Sequence, residues 1–331
     1  MNLLRRSPRS DPTRVFFAAD IHGSDAAFRK FVNAASFYQA DVLVFGGDLT
    51  GKATVPVVAQ ADGTHRAQLH GLQHTLDGMD AVRAFARTVE TVGFYWELMD
   101  EDRYRSLAAD PAAVEGLFVH LARKRLAGWI AFAQDRLAGA GVSMYLTGGN
   151  DDMPEVLGVL EDADGQIVIP CEHEVVDLDR MHTMVTIGYS TPTPWDTPRE
   201  ATEDQLADLI DASMSRVRDP ARCVLNVHVP PLDSGLDRCL KVDATTDVPT
   251  VVKDAGRPVY YGGGSLAVRE AVRRYQPLIG LHGHIHESPG QIRYGRTKCF
   301  NPGSEYARGV LSGLLLSIRD GELLGYQHTT G

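Results

Sequence analysis

Short apolar runs along the chain repeatedly give way to polar, glycine-rich turns. Val15–Ala19 runs into Asp20-Ile21-His22-Gly23, Val42–Phe45 into Gly46-Gly47-Asp48, and Met144–Leu146 into Thr147-Gly148-Gly149-Asn150-Asp151-Asp152. Cys223–Val227 runs into His228, and Pro277–Leu281 into His282-Gly283-His284-Ile285-His286. A continuous apolar run of this length, without alternation, suits a strand buried on both faces. Such strands belong to layered α/β proteins, whose ligands sit beyond the carboxyl ends of the strands. All five runs deliver polar residues at that end.

Between the runs, Phe28–Tyr38 predicts a helix. Thr202–Val217 opens on Thr202 with Gln205 three residues later, a capping box. Ser265–Tyr275 starts on a serine cap and stops before Pro277. Glu174–Asp179 and Thr183–Tyr189 alternate like strands, and Gly309–His328 reads as a hairpin turning at Asp320-Gly321. Residues 65–138 break this rhythm. Leu72, Leu76, Met79, Val82, Phe85, Val89, Val92, Trp96 and Met99 recur every three or four residues, the stripe of a long amphipathic helix. Asp110-Pro111 then supplies a cap and an N1 proline, and Val114, Leu117, Leu121, Trp129, Ala133 and Leu137 continue a second helix. The reading is one domain over 1–331 with a helical hairpin inserted at 65–138, placed either to cap a site or to form a homodimer surface.

Composition narrows the function. The chain has 331 residues, 44% hydrophobic and 23% charged, with a net charge of -10, the balance of a soluble globular protein with a sizeable core. That acidity excludes a general nucleic-acid coat and an anionic membrane surface, which both need a basic face. No run reaches the ~18 apolar residues of a membrane span. Met1–Asp11 carries three arginines and no apolar segment, so it is not a secretory signal, and the expected location is the cytoplasm. The four cysteines, Cys171, Cys223, Cys239 and Cys299, form no CxxC pair, which argues against a zinc knuckle or redox dithiol.

The polar residues at the strand ends are Asp20, His22, Asp48, Asn150, His228, His284 and His286. All are oxygen or imidazole donors of the kind that hold divalent Mn, Fe, Zn, Ni or Co. Two adjacent ions need a shared ligand, and a carboxylate with two oxygens suits that role. Asp48 is the candidate.

In their order, Asp20-x-His22, Gly47-Asp48, Gly149-Asn150, His228 and Gly283-His284-x-His286 resemble the five motifs of the calcineurin-like metallophosphoesterase superfamily, over nearly the whole chain. Gly47-Asp48-Leu49-Thr50-Gly51-Lys52, His228-x-Pro230-Pro231 with Leu236-Asp237, Gly283-His284-Ile285-His286-Glu287-Ser288 and Asn301-Pro302-Gly303-Ser304 resemble, more narrowly, the Icc-related phosphoesterase group. The resemblance implies a four-layer α/β/β/α sandwich of two mixed sheets. It implies two divalent ions, manganese favoured. One would rest on Asp20, His22 and His286 and the other on Asn150, His228 and His284, with Asp48 bridging alongside a water or hydroxide. Two cations ~3.5–4 Å apart clamp phosphate oxygens and acidify the water between them.

One departure bears on the substrate. In the family the third motif continues Gly-Asn-His, and that histidine contacts phosphate and helps protonate the leaving oxygen. Here Asn150 is followed by Asp151 and Asp152. An ionised Asp151 would repel phosphate unless protonated or held behind the ligands, and a diester carries one negative charge fewer than a monoester. The expected activity is therefore that of a phosphodiesterase on a small phosphodiester or nucleotide-like substrate, with Asp151, Asn150 and His282 as catalytic candidates. A phosphomonoesterase is the alternative enzyme, and a metal-bearing interaction scaffold the alternative of another class. His282 shares a strand face with His284 but has no ligand slot left, so it supports a ligand or touches substrate. His65, His70 and His74 lie near Asp62, Asp77 and Asp80 and read as solvated residues rather than a second metal cluster. Lys52 and Arg293 are candidate phosphate contacts whose default is solvation. Gly46–Lys52 follows the nucleotide-loop spacing G-x-x-x-x-G-K, but Ala53 replaces the required Ser or Thr and Asp48 has the better use as a bridge.

Overall fold

The computed structural model describes residues 11–163, 165–243, 245 and 249–331. The expectation for the amino terminus falls, apart from Asp11, outside them. Among the described residues no helix is long and apolar enough to cross a membrane.

The five apolar runs form the centres of two six-stranded mixed sheets. The first has the order Glu322–Thr330, Ser312–Arg319, Thr13–Ala18, Val42–Phe45, Ser143–Leu146, Val168–Pro170. Its last four strands run parallel, Ser312–Arg319 is antiparallel to them, and Glu322–Thr330 is antiparallel to Ser312–Arg319. The second has the order Gly290–Tyr294, Thr297–Asn301, Ile279–Leu281, Cys223–Val227, Thr183–Ile187, Val175–Asp177. Its four central strands are parallel and both edges antiparallel.

Alternation within each run explains why the runs are apolar throughout. Phe16, Ala18, Leu43, Phe45, Met144 and Leu146 face helices Asp25–Tyr38 and Pro111–Leu137, meeting Phe28, Phe31, Leu126 and Trp129. Their neighbours Val15, Phe17, Val42, Val44 and Tyr145 meet Met184, Val224, Ile279 and Leu281 of the second sheet. The far face of that sheet, with Val185, Ile187, Leu225 and Val227, packs on Leu206 and Ile210 of helix Glu203–Met214 and on Val268 and Val272 of helix Leu266–Tyr275. Helices therefore cover the outer face of each sheet, and the sheets pack against each other. The helices start where cap residues satisfy their first N–H groups. Thr202 and Gln205 form the reciprocal capping box, Ser265 accepts from Val268 N, and Asp110 accepts from Ala112 N and Ala113 N. Each such cap contributes roughly 1 kcal/mol.

The insertion is not the expected helical hairpin. It begins earlier, with a four-stranded sheet ordered Leu72–Asp77, Thr64–Leu69, Thr54–Ala59, Tyr95–Met99, and one helix, Gly78–Thr91. Of the expected stripe, Val82, Phe85 and Val89 are helical and buried. Leu76 lies on a strand, and Leu72, on the same strand, is exposed. The helix cannot run through 72–99 because Gly78 and Gly93, near its two ends, take left-handed backbone with φ of 71° and 90°. His70-Gly71, also at positive φ, closes a two-residue hairpin whose geometry favours such residues. Helix Pro111–Leu137 matches the second expected helix, with Glu101–Ala108 preceding it. His65, His70 and His74 fall on or beside the hairpin strands, and no metal-ligand cluster among the described residues includes them.

The insertion meets the body at a close backbone contact. A Cβ on Gly93 would stand 2.0 Å from the His22 carbonyl oxygen. Arg125 bonds the carbonyls of Gly23 at 2.8 Å and Phe94 at 2.9 Å, spanning the junction. Gly63 is the natural control, since it also has positive φ but nothing within 4 Å of a built Cβ. Alanine at positive φ costs about 1–2 kcal/mol. Gly63→Ala is expected to show that loss alone in urea unfolding, and Gly93→Ala a larger one of about 2–5 kcal/mol once the clash is added. Equal losses would contradict the close contact.

Candidate metal centre

Parallel strands put their carboxyl ends on one side, and there the seven expected donors come together. Asp20 and His22 follow Thr13–Ala18, Asp48 follows Val42–Phe45, Asn150 follows Ser143–Leu146, His228 follows Cys223–Val227, and His284 and His286 follow Ile279–Leu281. Asp20, His22, Asp48 and His284 have left-handed backbone, with φ of 57°, 40°, 58° and 68°. A non-glycine residue held there costs roughly 1–3 kcal/mol and persists only where its surroundings impose it, a pattern that clusters at functional sites. Here it turns each side chain back across the strand end.

One atom each from Asp20, His22, Asp48 and His286 lie within 4.8 Å of one another. His22 Nε2 is 3.0 Å from His286 Nε2 and 3.5 Å from Asp48 Oδ2, and His286 Nε2 is 3.6 Å from Asp20 Oδ1. The same Asp48 Oδ2 is 3.4 Å from His228 Nε2, and His284 Nδ1 is 2.8 Å from Asn150 Oδ1. Asp48 thus contacts histidines of both expected ligand sets.

These residues fit metal ions. Two imidazole nitrogens 3.0 Å apart repel through their lone pairs unless a proton or cation serves both. Ligands ~2.0–2.1 Å from a common ion stand about 3 Å apart. Asp20 Oδ2 and His228 Nε2 are buried with no hydrogen-bond partner, a costly state for polar atoms without a ligand. The mixed nitrogen and oxygen set, free of thiolate, suits divalent first-row ions.

A buried frame orients the donors. Asp152 is fully buried and accepts from Gly149 N at 2.7 Å, Leu49 N at 2.9 Å, Thr50 N at 2.7 Å and Thr50 Oγ1 at 2.5 Å. It ties the loop after Asp48 to the loop carrying Asn150. The approach requires glycine, for a Cβ on Gly149 would meet Asp48 Oδ1 at 2.1 Å. Asn150 Nδ2 donates to Thr197 Oγ1 at 3.0 Å, and that hydroxyl donates to Glu200 at 2.7 Å, which leaves Asn150 Oδ1 for the centre. His228 Nδ1 donates to the Gly46 carbonyl at 2.8 Å, so its Nε2 is the free donor. Asn301 Nδ2 holds the Ile285 carbonyl at 2.8 Å and braces the turn bearing His284. Thr197 and Glu200 lie outside every motif; the loop between strand Thr183–Ile187 and helix Glu203–Met214 brings them in.

Four further candidates take their places. Asp151, in the position of the absent histidine, pairs with the Lys52 ammonium and lies 3.5 Å from His22 Nδ1. Its backbone N–H donates to Asp48 Oδ1 at 3.0 Å. Lys52 therefore belongs to the site, against its default of solvation. Arg293 does not, lying on the edge strand Gly290–Tyr294 with its guanidinium on Arg296 O. His282 is wholly buried and donates from Nδ1 to the Val227 carbonyl at 2.8 Å. A sealed ring touches no substrate, which corrects that half of its expected role and leaves a structural one.

Electrostatics follow from packing charge into a dry space. Burial opposes ionisation of Asp48, but the charge of the neighbouring His228 outweighs it and holds the carboxyl well below its usual range. Burial also opposes a charged His228, yet the Asp48 carboxylate pushes it up to about 9. Burial pushes His284 down to about 4. Burial and the nearby Asp48 push Asp152 up to about 6.

No family model and no curated protein matches the chain. Solved structures do. TT1561 of Thermus thermophilus is 12% identical and superposes with a TM-score of 0.54, covering 97% of this chain and 98% of that one. The two chains share a fold. A dimetal phosphatase from Danio rerio superposes less closely, at 10% identity and a TM-score of 0.39 over 97% of this chain and 99% of that one. So does the calcineurin-like phosphoesterase YfkN from Bacillus subtilis, at 11% identity and 0.39 over 98% and 91%.

The raised His228 sets a pH dependence for metal uptake. With its folded value near 9, metal-free His228 is protonated between pH 7 and 8, and ligation needs it neutral. Binding is expected to release at least one proton per chain and to strengthen as pH rises from 7 towards 9, about tenfold per unit for each proton displaced. Calorimetric titration with manganese at pH 7.5, in buffers of different ionisation enthalpy, counts those protons. Buffer-independent heats would contradict the assignment.

Proposed function

We propose that the chain is a two-metal phosphoester hydrolase of the calcineurin-like superfamily that acts on small phosphodiesters. The observation that carries this reading is the convergence of seven nitrogen and oxygen donors, six of them on either side of Asp48. Asp20, His22 and His286 would hold one ion and Asn150, His228 and His284 the other, with Asp48 shared and manganese the first choice among ions of this ligand preference. Bound there, the ions supply positive charge to phosphate oxygens and make a water acidic enough to serve as nucleophile.

The chain's own residues do the rest. Lys52 presents an ammonium beside the centre, close enough to pair with Asp151, and donates to a non-bridging phosphate oxygen. Asp151 positions Lys52 and, through its backbone N–H, fixes one oxygen of Asp48. Burial of the donors excludes competing water and strengthens each charge interaction.

The diester preference now rests on different grounds. Pairing with Lys52 cancels the repulsion expected of a free Asp151. That same pairing leaves the lysine shared with a carboxylate, and no imidazole stands at position 151 to protonate a poor leaving group. A monoanionic diester with a good leaving group needs less of both than a dianionic alkyl monoester.

Manganese-loaded protein is expected to cleave bis(4-nitrophenyl) phosphate about tenfold or more faster than 4-nitrophenyl phosphate, a barrier difference near 1.4 kcal/mol. Asp48→Ala should lose bound metal and turnover together. Comparable rates on the two esters would remove the diester preference, and turnover persisting in Asp48→Ala would remove the two-metal reading.

A further inference from the structure

Tyr306 stands against the metal centre but lies outside the five motifs. It opens the short helical turn Tyr306–Arg308 that follows strand Thr297–Asn301. Its ring centre lies 4.7 Å from that of His22 and 5.8 Å from that of His286, within the ~4.5–7 Å of packed aromatic pairs. The residue is half-buried.

The backbone leading to it is pinned to two of the expected metal ligands. Ser304 Oγ donates to the Asp20 carbonyl at 2.6 Å, and Ser304 N to the His286 carbonyl at 3.1 Å. Gly303, at φ of 69°, packs so closely that a Cβ would stand 2.8 Å from that same His286 carbonyl. Tyr306 N then donates to Ser304 Oγ at 3.4 Å. The ring is therefore positioned by the segments that carry the metal donors, a rigid support of the kind a binding group needs.

Packing accounts for the ring but not for the hydroxyl, since a phenylalanine would pack on the two histidines as well. Among the described residues no group hydrogen-bonds that hydroxyl, although a tyrosine hydroxyl in a packed setting usually finds a partner. The charges that act on it most are those of Lys52, Asp151, Asp48 and Asp20. It therefore stands on the same face of the centre as Lys52, whose ammonium pairs with Asp151. A neutral donor beside that lysine suits an incoming anionic oxygen, to which its hydrogen bond is charge-assisted.

Resting on the hydrolase reading above, we propose that the Tyr306 hydroxyl is a second phosphate-binding donor beside Lys52, bonding a non-bridging oxygen of the ester held at the centre. The phenol keeps its proton throughout, so it binds and orients the phosphoryl group and moves no proton. A contact made equally in the bound ester and in the transition state tightens binding and leaves turnover unchanged. Non-bridging oxygens are also present on free phosphate, so the same contact holds that anion.

Tyr306→Phe tests this, because it removes the hydroxyl and keeps the ring on His22 and His286. By calorimetry the variant is expected to take up manganese with the stoichiometry and affinity of the unaltered protein. On manganese-loaded protein its Kd for inorganic phosphate, a readout without turnover, should rise about tenfold. Its KM for bis(4-nitrophenyl) phosphate should rise in parallel, with kcat within about twofold. Unchanged phosphate binding and KM, a loss of manganese affinity as large as the loss of phosphate affinity, or a fall in kcat at unchanged KM each overturns the assignment. Tyr306-dependent phosphate binding by a loaded protein that cleaves no 4-nitrophenyl ester would leave the contact standing and remove the hydrolase reading.

Discussion

Asp48 holds a negative charge almost out of contact with water, and the centre is arranged around that charge. It is 2% exposed, with Asp20 and Asp152, both fully buried, in the same region. Like charges ~4 Å apart at an effective dielectric near 20 repel by about 4 kcal/mol. The protein's own answer is partial. His228 and His22 stand 3.4 Å and 3.5 Å from Asp48 Oδ2, and the Asp151 amide binds its other oxygen. Of the two histidines, His228 is pushed towards the charged form and His22 well away from it. Together with the unpartnered carboxylate oxygen of Asp20, this leaves a deficit of positive charge that divalent cations would fill.

The fold exists to bring that charge and its partners together. Asp20, Asp48 and Asn150 come from the first sheet, and His228, His284 and His286 from the second. The centre therefore forms only when the two sheets pack, through Phe17, Val44, Ile279 and Leu281. Gly149 lets the Asn150 loop touch Asp48, and Asp152 locks the two loops with four hydrogen bonds. Left-handed backbone at four ligand positions stores strain that this frame offsets. Packing, backbone conformation and site chemistry are thus one coupled arrangement.

Much of this was legible from the order of residues, for physical reasons. Strands buried on both faces must be apolar without alternation, and function must follow at their ends, so the runs and the seven donors stood out together. Caps such as Thr202, Ser265 and Asp110 act locally and read locally. The insertion did not. Val82, Phe85 and Val89 carry a true helical period, and it extended by coincidence through Leu76 and Met99, which are strand residues. Gly78, Gly93 and His70-Gly71 were the breaks, visible only once positive φ is known. Lys52 and Thr197 were undervalued because their roles depend on contacts across 99 and 47 positions, to Asp151 and Asn150, and Glu200 because it acts on Asn150 only through Thr197. No spacing rule reaches so far.

The central claim is that two ions share Asp48, and anomalous scattering from crystals grown with manganese tests it directly. Two peaks are expected ~3.5–4 Å apart, one within reach of Asp20, His22 and His286 and the other within reach of Asn150, His228 and His284. A single peak, no peak, or density at the histidines of the insertion would contradict it.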